Sequence, residues 1–150
     1  MAIARGAGTE IIRSIWAEDV DSSASTVLVF GVQHHIYTIL NITAHAISVA
    51  TDRNWIMCFM KNWDSKGGAS GQEHTIFKQD MSAQETFVWN DKFSFNGYEP
   101  TGISGEMNTA AEQDAIADQG GSVANILYIQ AEAATDNFEV SCTYIDQNNA

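Results

Sequence analysis

Residues 35–50 read HIYTILNITAHAISVA, sixteen residues without proline or glycine that are rich in Ile, Thr, Tyr and Val. This composition is typical of a long β-strand. The even-numbered residues from 36 to 46 form the more apolar set, so we expect that face to lie against a core. Beyond Ala46 the apolar side chains change parity, which predicts a β-bulge or a corner. The even set is Ile36, Thr38, Leu40, Ile42, Ala44 and Ala46.

Shorter apolar segments separated by turn signals flank this strand, and no long helical pattern accompanies them. They lie at 9–17, 26–30, 55–61, 74–79, 85–95, 124–133 and 138–145. About eight such strands predict an all-β fold, an antiparallel two-sheet β-sandwich of jelly-roll or immunoglobulin-like type. Segment 9–17 also fits helical spacing, and segment 85–95 fits either one corner-turning strand or two short ones. We expect the aromatic side chains of segment 85–95 to lie in the core.

The chain divides into residues 1–16, an N-terminal arm and first strand, and residues 17–150, a single sandwich domain. Residues 96–123 form an insertion that contains five acidic residues, no basic residue and the single proline. Within the insertion, Thr109 and Glu112 match a helix capping box, and Gly120-Gly121 supplies a stop signal. We therefore predict a short helix near residues 110–119, carried on a loop that projects from the sandwich.

The charge balance bears on the class of partner. Seven basic and nineteen acidic residues give a formal charge of −12, a field that repels nucleic acid and anionic membranes. The sequence has no apolar run long enough to cross a bilayer. MAIARGAGTE at the start has no apolar signal-peptide core, so we expect synthesis in a cytoplasm. Cys58 and Cys142 lie in apolar strands, and we expect buried, reduced thiols.

No residue pattern predicts catalysis, a cofactor or a metal. None of the four histidines, at 34, 35, 45 and 74, has the i, i+2 spacing that puts two ligands on one face of a strand. No nucleophile elbow or phosphate-binding loop is present. The acidic group at Glu18, Asp19 and Asp21 lacks the spacing of a calcium loop, so a solvated acidic surface competes with a structural calcium site.

Two aromatic residues near loops are candidates for exposed ligand contacts. Trp63 begins a glycine-rich loop, and Tyr98 lies at the start of the acidic insertion. Exposed aromatic side chains with a polar edge suit a sugar-binding platform. A glycan-binding module for host attachment is therefore one functional alternative, with Trp63 and Tyr98 as its contacts.

A family resemblance gives a more specific hypothesis. HIYTILNITAHAISVA (35–50), ETFVWNDKFSFNGYEP (85–100) and IQAEAATDNFEVSCTYID (129–146) follow one another in an order that resembles small β-sandwich virion proteins of tailed phages. ARGAGTEIIRS (4–14) also resembles the openings of structural proteins from phages of aquatic bacteria. The likeness covers most of residues 9–145 and departs from the family at 96–123, which is longer than the usual loop.

This resemblance implies a non-enzymatic virion protein, a capsid decoration (cement) protein on the capsid surface that bridges and stabilises capsomers. The implied partners are the major capsid protein and further copies of the chain, with a trimer as one option. No nucleic acid, membrane or cofactor is implied. The capsid or subunit contacts are expected among Arg5, Ile12, Arg13, Ile15 and Trp16. A tail or fibre-associated virion protein is the second alternative.

Overall fold

A computed structural model describes residues 8–65, 69, 71–99, 108–117 and 123–149. Residues 1–7 of the predicted arm, which include Arg5, and residues 100–107 and 118–122 of the predicted insertion lie outside these residues. The strands are β1 Thr9–Val20, β2 Thr26–Phe30, β3 His35–Ser48, β4 Asn54–Trp63, β5 Gln72–Met81, β6 Thr86–Trp89, β7 Phe93–Asn96, β8 Tyr98–Glu99, β9 Val123–Ala124, β10 Ile126–Ala131 and β11 Asn137–Asn148. The helix α1 spans Ala110–Ala117.

The strands form an antiparallel β-sandwich, as the sequence predicts. One sheet has the order β1-β11-β3-β6, with β7 also pairing with β3, and the second has the order β2-β10-β4-β5. The short strands β8 and β9 pair with each other in a separate two-stranded sheet. When β6 and β7 are counted as one interrupted strand, the two sheets of four strands have jelly-roll connectivity. Of the two sandwich types predicted, the topology is therefore the jelly roll.

The prediction for the long strand β3 is correct in its second half and wrong in its first. Ile42, Ala44 and Ala46 are fully buried, but nearer the start of β3 the buried residues are the odd-numbered Tyr37 and Ile39. The pairing with β11 explains the change, because Tyr144 lies opposite Ile39 while Thr143 lies opposite Asn41.

Leu40 is thus the extra residue of a bulge, and the predicted inward placement of Ile36, Thr38 and Leu40 is incorrect. The bulge predicted after Ala46 is present. Phe138 pairs with Ala46 and Asn137 with Ser48, so that Ile47 is the extra residue there.

The core lies between the two sheets and is filled by aliphatic and aromatic side chains. Segment 85–95 forms two short strands, and Phe95 is buried while Phe87, Trp89 and Phe93 pack against the core from its margin. Cys58 and Cys142 are both buried and free. Burial raises the pKa of both thiols, that of Cys142 to about 12, so neither has the thiolate character of a reactive cysteine.

The predicted capping box is present at the start of α1. The backbone N–H of Glu112 donates to the Thr109 hydroxyl at 3.2 Å, and the Thr109 N–H donates to the Glu112 carboxylate at 3.3 Å. These reciprocal bonds satisfy backbone donors that the first turn of a helix leaves without partners.

Three backbone segments cross closely at one end of the sandwich. The Gly31 N–H donates to the Asn125 carbonyl, and the Asn125 N–H donates to the Gly97 carbonyl, both at 2.8 Å. A Cβ atom on Gly97 would lie 1.9 Å from the Val32 carbonyl oxygen, far inside van der Waals contact. Glycine is therefore required at position 97, and this crossing fixes the backbone of Asn125.

Candidate interaction surface

The first strand supplies the most exposed apolar side chains of the five-stranded sheet. Since β1 is the end strand of that sheet, one of its two edges has no strand partner among the described residues. Its side chains alternate, so that Ile11, Ile15 and Ala17 are partly buried while Ile12 and Trp16 are 71% and 60% exposed. Residues four apart on a strand lie about 13 Å from each other on one face.

The outer face of the five-stranded sheet continues from Ile12 and Trp16 with hydroxyl, amide and apolar side chains. We call this surface the outer sheet face. The cross-strand register and burial pattern assign to it Glu10, Ile12, Ser14, Trp16, Thr38, Asn41, Thr43, His45, Thr86, Val88, Ser94, Glu139, Ser141, Thr143 and Ile145. Its two carboxylates, Glu10 and Glu139, lie toward opposite ends of the face, and the side chains between them include no carboxylate, lysine or arginine. The centre of this face can approach another protein with little desolvation of charge.

Hydrogen bonds between neighbouring side chains order the polar part of the outer sheet face. The Ser14 and Thr143 hydroxyl oxygens lie 3.1 Å apart, and those of Thr38 and Ser94 lie 2.9 Å apart. The His45 ring nitrogen Nδ1 lies 2.8 Å from the Thr86 hydroxyl oxygen. These side chains are held in place before any partner arrives, which lowers the entropy cost of binding.

A buried carboxylate holds the first strand to its neighbours. Asp146 is 6% exposed, and its Oδ1 lies 2.6 Å from Nδ1 of His35. Its Oδ2 lies 3.9 Å from Nη1 of Arg13, whose side chain is half exposed. A pocket of about 100 Å³ lies beside this group, lined by Thr9, Ile11, His35, Asp146 and Asn148. Arg13, Asp146 and His35 thereby connect β1, β11 and β3 at one end of the sheet.

A buried phenol stands beside this carboxylate. The Tyr37 hydroxyl accepts a hydrogen bond from the Val32 N–H at 3.0 Å, and its ring lies 6.1 Å from that of His35. Burial, with a further contribution from the negative charge of Asp146, raises the pKa of Tyr37 to about 12. The phenol is therefore neutral at physiological pH and acts here as a packing and hydrogen-bonding group.

The predicted contact residues thus have different environments. Ile12 and Trp16 lie together on the outer sheet face, Ile15 packs against the core, and Arg13 interacts with Asp146. Arg5 lies outside the described residues. The hydroxyl side chains of β3 and β11 belong to the same surface and were not identified from the sequence, because strand order is needed to bring them beside β1.

Trp63 and Tyr98, predicted as exposed ligand contacts, are both partly buried. The Trp63 ring packs against His74 with a centroid distance of 4.2 Å, and its Nε1 is buried without a hydrogen-bond partner. Tyr98 belongs to β8, where it pairs with Ala124. Both side chains are thus less exposed than expected, and their contact with a sugar stays a prediction.

A polar corner lies next to Trp63, where β4 ends and where β8 and β10 begin. It contains Asp64, Glu99 and Asn125, three residues from separate segments that the sequence alone did not connect. Burial and the nearby charge of Asp64 raise the pKa of Glu99, while hydrogen bonds with Asn125 and Asn96 oppose that rise. Within the part of the chain that the structure describes, one buried oxygen each of Asp64 and Asn125 has no hydrogen-bond partner.

The part of the chain that the structure describes contains no cluster of three or more His, Cys, Asp or Glu residues arranged to hold a metal. Within the same residues, no helix has the length and apolar character needed to span a bilayer.

No protein-family model and no curated protein matches this chain. Among solved structures it is similar to a protein of Bacillus endospore appendages, described as a novel family of disulfide-linked pili. The TM-score is 0.44 and the identity 9%, over 100% of this chain and 97% of that chain. A likeness this distant bears on neither function nor partners.

Proposed function

We propose that this chain is a non-enzymatic structural protein of a tailed-phage virion, a decoration protein that binds the capsid through its outer sheet face. The observation that carries the proposal is the pair Ile12 and Trp16, both largely exposed on the unpaired edge of that face. The jelly roll adds only an analogy, since viral capsid proteins and lectins share this fold with proteins of other functions.

The binding mechanism follows from the composition of the face. Trp16 and Ile12 are the anchors, since each large apolar side chain contributes about 1.5–3 kcal/mol when fully buried and tryptophan is enriched among interface hot spots. The hydroxyl groups around them supply the polar rim. Because the rest of the chain is strongly acidic, like charges disfavour other faces of the molecule against an acidic partner.

A homo-oligomer would contact several neighbouring capsomers at once. Several weak sites on one particle then act together and raise the apparent affinity well above that of a single site. Bridged capsomers gain contact energy that opposes the internal pressure of packaged DNA. A tail-associated protein would use the same face against a different partner, so the two alternatives differ in the particle component that is bound.

Capsids that lack the protein provide the direct test. Wild-type protein should bind saturably at hundreds of sites per particle, as expected for lattice decoration. The double variant Ile12→Lys/Trp16→Lys should bind about 100-fold more weakly or not at all, because two charges enter the apolar contact. Binding of wild-type protein to tails but not to capsids would favour the tail alternative, and binding to neither would contradict a virion role.

The matched control adds the same two charges to the other long edge strand, as Gln72→Lys/Thr75→Lys on β5. Both residues are exposed, and this variant should bind capsids like the wild type. Deletion of residues 1–16 is a poor substitute for these variants, because residues 9–16 of β1 pair with β11. Such a deletion would expose a central strand and disturb the fold itself.

A further inference from the structure

The polar corner beside Trp63 has a local chemistry that the proposed function does not use. Asn125 is fully buried, and its Nδ2 donates to the Asn96 carbonyl at 2.9 Å and to the Asn96 Oδ1 at 3.1 Å. Its Oδ1 has no partner. A buried acceptor without a partner costs roughly 1–3 kcal/mol, and such groups in a native protein usually indicate a water, an ion or a ligand.

Two carboxylates accompany this amide. The Asp64 Oδ1 is buried and also lacks a partner. Glu99 lies opposite Val123 in the β8–β9 pair, and Val123 is two residues before Asn125; burial and the charge of Asp64 raise the pKa of the Glu99 carboxyl. Two like charges in a partly buried position repel each other, and a cation between them would convert that repulsion into attraction.

Hydrogen bonds fix the backbone around Asn125. Asn125 is fixed by hydrogen bonds to Gly31 and Gly97, and the neighbouring Asn62 side chain donates to the Ala124 carbonyl at 2.7 Å. The backbone that carries Asn125 is therefore held in place by the crossing segments described above, which favours a preformed ligand site.

We propose that Asp64, Glu99 and Asn125 form a binding site for a divalent cation, with Ca²⁺ as the ion of choice. Carboxylate and amide oxygens are hard ligands that Ca²⁺ accepts in flexible geometry, whereas Mg²⁺ demands a regular octahedron. The three residues include neither cysteine nor histidine, which the softer transition metals favour.

Titration of the full-length protein with Ca²⁺, after treatment with a chelator, is the first test. We expect the melting temperature to rise by about 5–10 °C at a Ca²⁺ concentration 100-fold above the dissociation constant. Mg²⁺ at the same concentration should produce a smaller rise. Terbium, which replaces Ca²⁺ and emits when a nearby indole is excited, should luminesce through Trp63, the residue that precedes Asp64.

Variants then locate the ion. Asp64→Asn and Glu99→Gln keep the size of each side chain and remove its charge, and each should abolish both the terbium emission and the Ca²⁺-dependent rise in melting temperature. Asp19→Asn, in the acidic turn after β1, removes the same charge elsewhere and should leave both signals unchanged.

An unchanged melting temperature with Ca²⁺ and no terbium emission from the wild-type protein would overturn the proposal and indicate that water occupies the corner. Signals that persist in both Asp64→Asn and Glu99→Gln would also overturn it, because the ion would then bind elsewhere. The site does not depend on the proposed virion role, so capsid binding and Ca²⁺ binding fail or succeed separately.

Discussion

The two longest edge strands, β1 and β5, differ in the side chains that they expose. Each ends a sheet and, among the described residues, leaves backbone groups on one side without a strand partner. On β5, whose ten residues are all described, Glu73 forms an ion pair with Lys61 at 3.3 Å, and Lys78 lies 4.6 Å from the centre of the Trp55 ring. On β1, the outward side chains include an isoleucine and a tryptophan that are mostly exposed.

Charged side chains on an edge strand prevent pairing with other chains, and natural sheets use them for that purpose. The β5 edge has this protection. The centre of β1 lacks it on its outer face, since Ile12, Ser14 and Trp16 are uncharged. Two large apolar side chains exposed at the centre of an edge strand are costly for an isolated molecule, and the partner proposed above would remove that cost by covering them.

The largest effect should come from transfer of the β1 pattern to β5. The variant Glu73→Ile/Thr75→Trp places two apolar side chains on the outer side of β5, where both positions are exposed. Burial of these side chains in a new contact should make the variant associate at concentrations about 100-fold lower than the wild type. Sedimentation velocity over a concentration series measures the shift. Unchanged sedimentation would mean that the charges on β5 do not protect that edge.

The attachment of β1 should depend on Asp146. In Asp146→Asn, the buried group loses its charge and its strong interaction with His35, which should lower the free energy of unfolding by about 1–3 kcal/mol. Urea denaturation measures this loss, and amide hydrogen exchange should accelerate in β1 more than in β5. Glu73→Gln, which breaks the exposed pair with Lys61 on β5, is the control and should cost less than about 1 kcal/mol. Equal losses in the two variants would contradict the assigned role of Asp146.

The buried phenol of Tyr37 should make the free energy of unfolding depend on pH in the alkaline range. Tyr37 has a pKa raised to about 12 in the folded protein, against 10.0 for the free group. The unfolded chain therefore releases this proton first. The stabilisation is complete below pH 10 and is lost as the pH rises toward 12, by at most about 1.4 kcal/mol per pH unit.

The variant Tyr37→Phe isolates this contribution. It loses the hydrogen bond from Val32 and should be less stable than the wild type at neutral pH. Urea denaturation at several pH values should show the two stability curves approaching each other between pH 10 and 12. Parallel curves over that range would mean that Tyr37 ionises equally in the folded and unfolded states.

The smallest effect should come from removal of the Lys78 charge on β5. Lys78→Gln removes the interaction with the Trp55 ring, and an exposed cation–π contact contributes about 0.5–1 kcal/mol. Urea denaturation should detect this small loss. A loss beyond about 2 kcal/mol would show that Lys78 supports the core as well as the surface, and no loss would reduce it to a solubilising charge.

The sequence predicts the local features of the fold correctly because they depend on neighbouring residues. Strand composition identified β2 and β3, and the capping box identified the start of α1. The bulge at Leu40 could not be predicted in the same way. It arises from the alignment with β11, and no glycine or proline marks it. One extra residue in a strand moves the side chains of all the strand residues before it to the opposite face of the sheet.

The candidate sites were less predictable because they depend on strand order. Ile12 and Trp16 were identified from sequence, but the edge position that makes them available follows from the pairing of β1 with β11. Trp63 looked like an exposed loop residue, yet β4 extends to that position and His74 packs against its ring. The corner of Asp64, Glu99 and Asn125 joins residues from three distant segments, and no local pattern connects them.

The pairing of β1 with β11 also constrains when the molecule can act. Thr9 lies opposite Asn148, so the first strand finds its partner only after about 130 further residues, through β11, have been synthesised. Contacts between such distant residues close slowly, and jelly-roll-like β proteins fold on the millisecond-to-second scale or slower. The outer sheet face therefore forms only after β11 has been synthesised and has paired with β1. A partner that recognises this face selects molecules in which that pairing has formed.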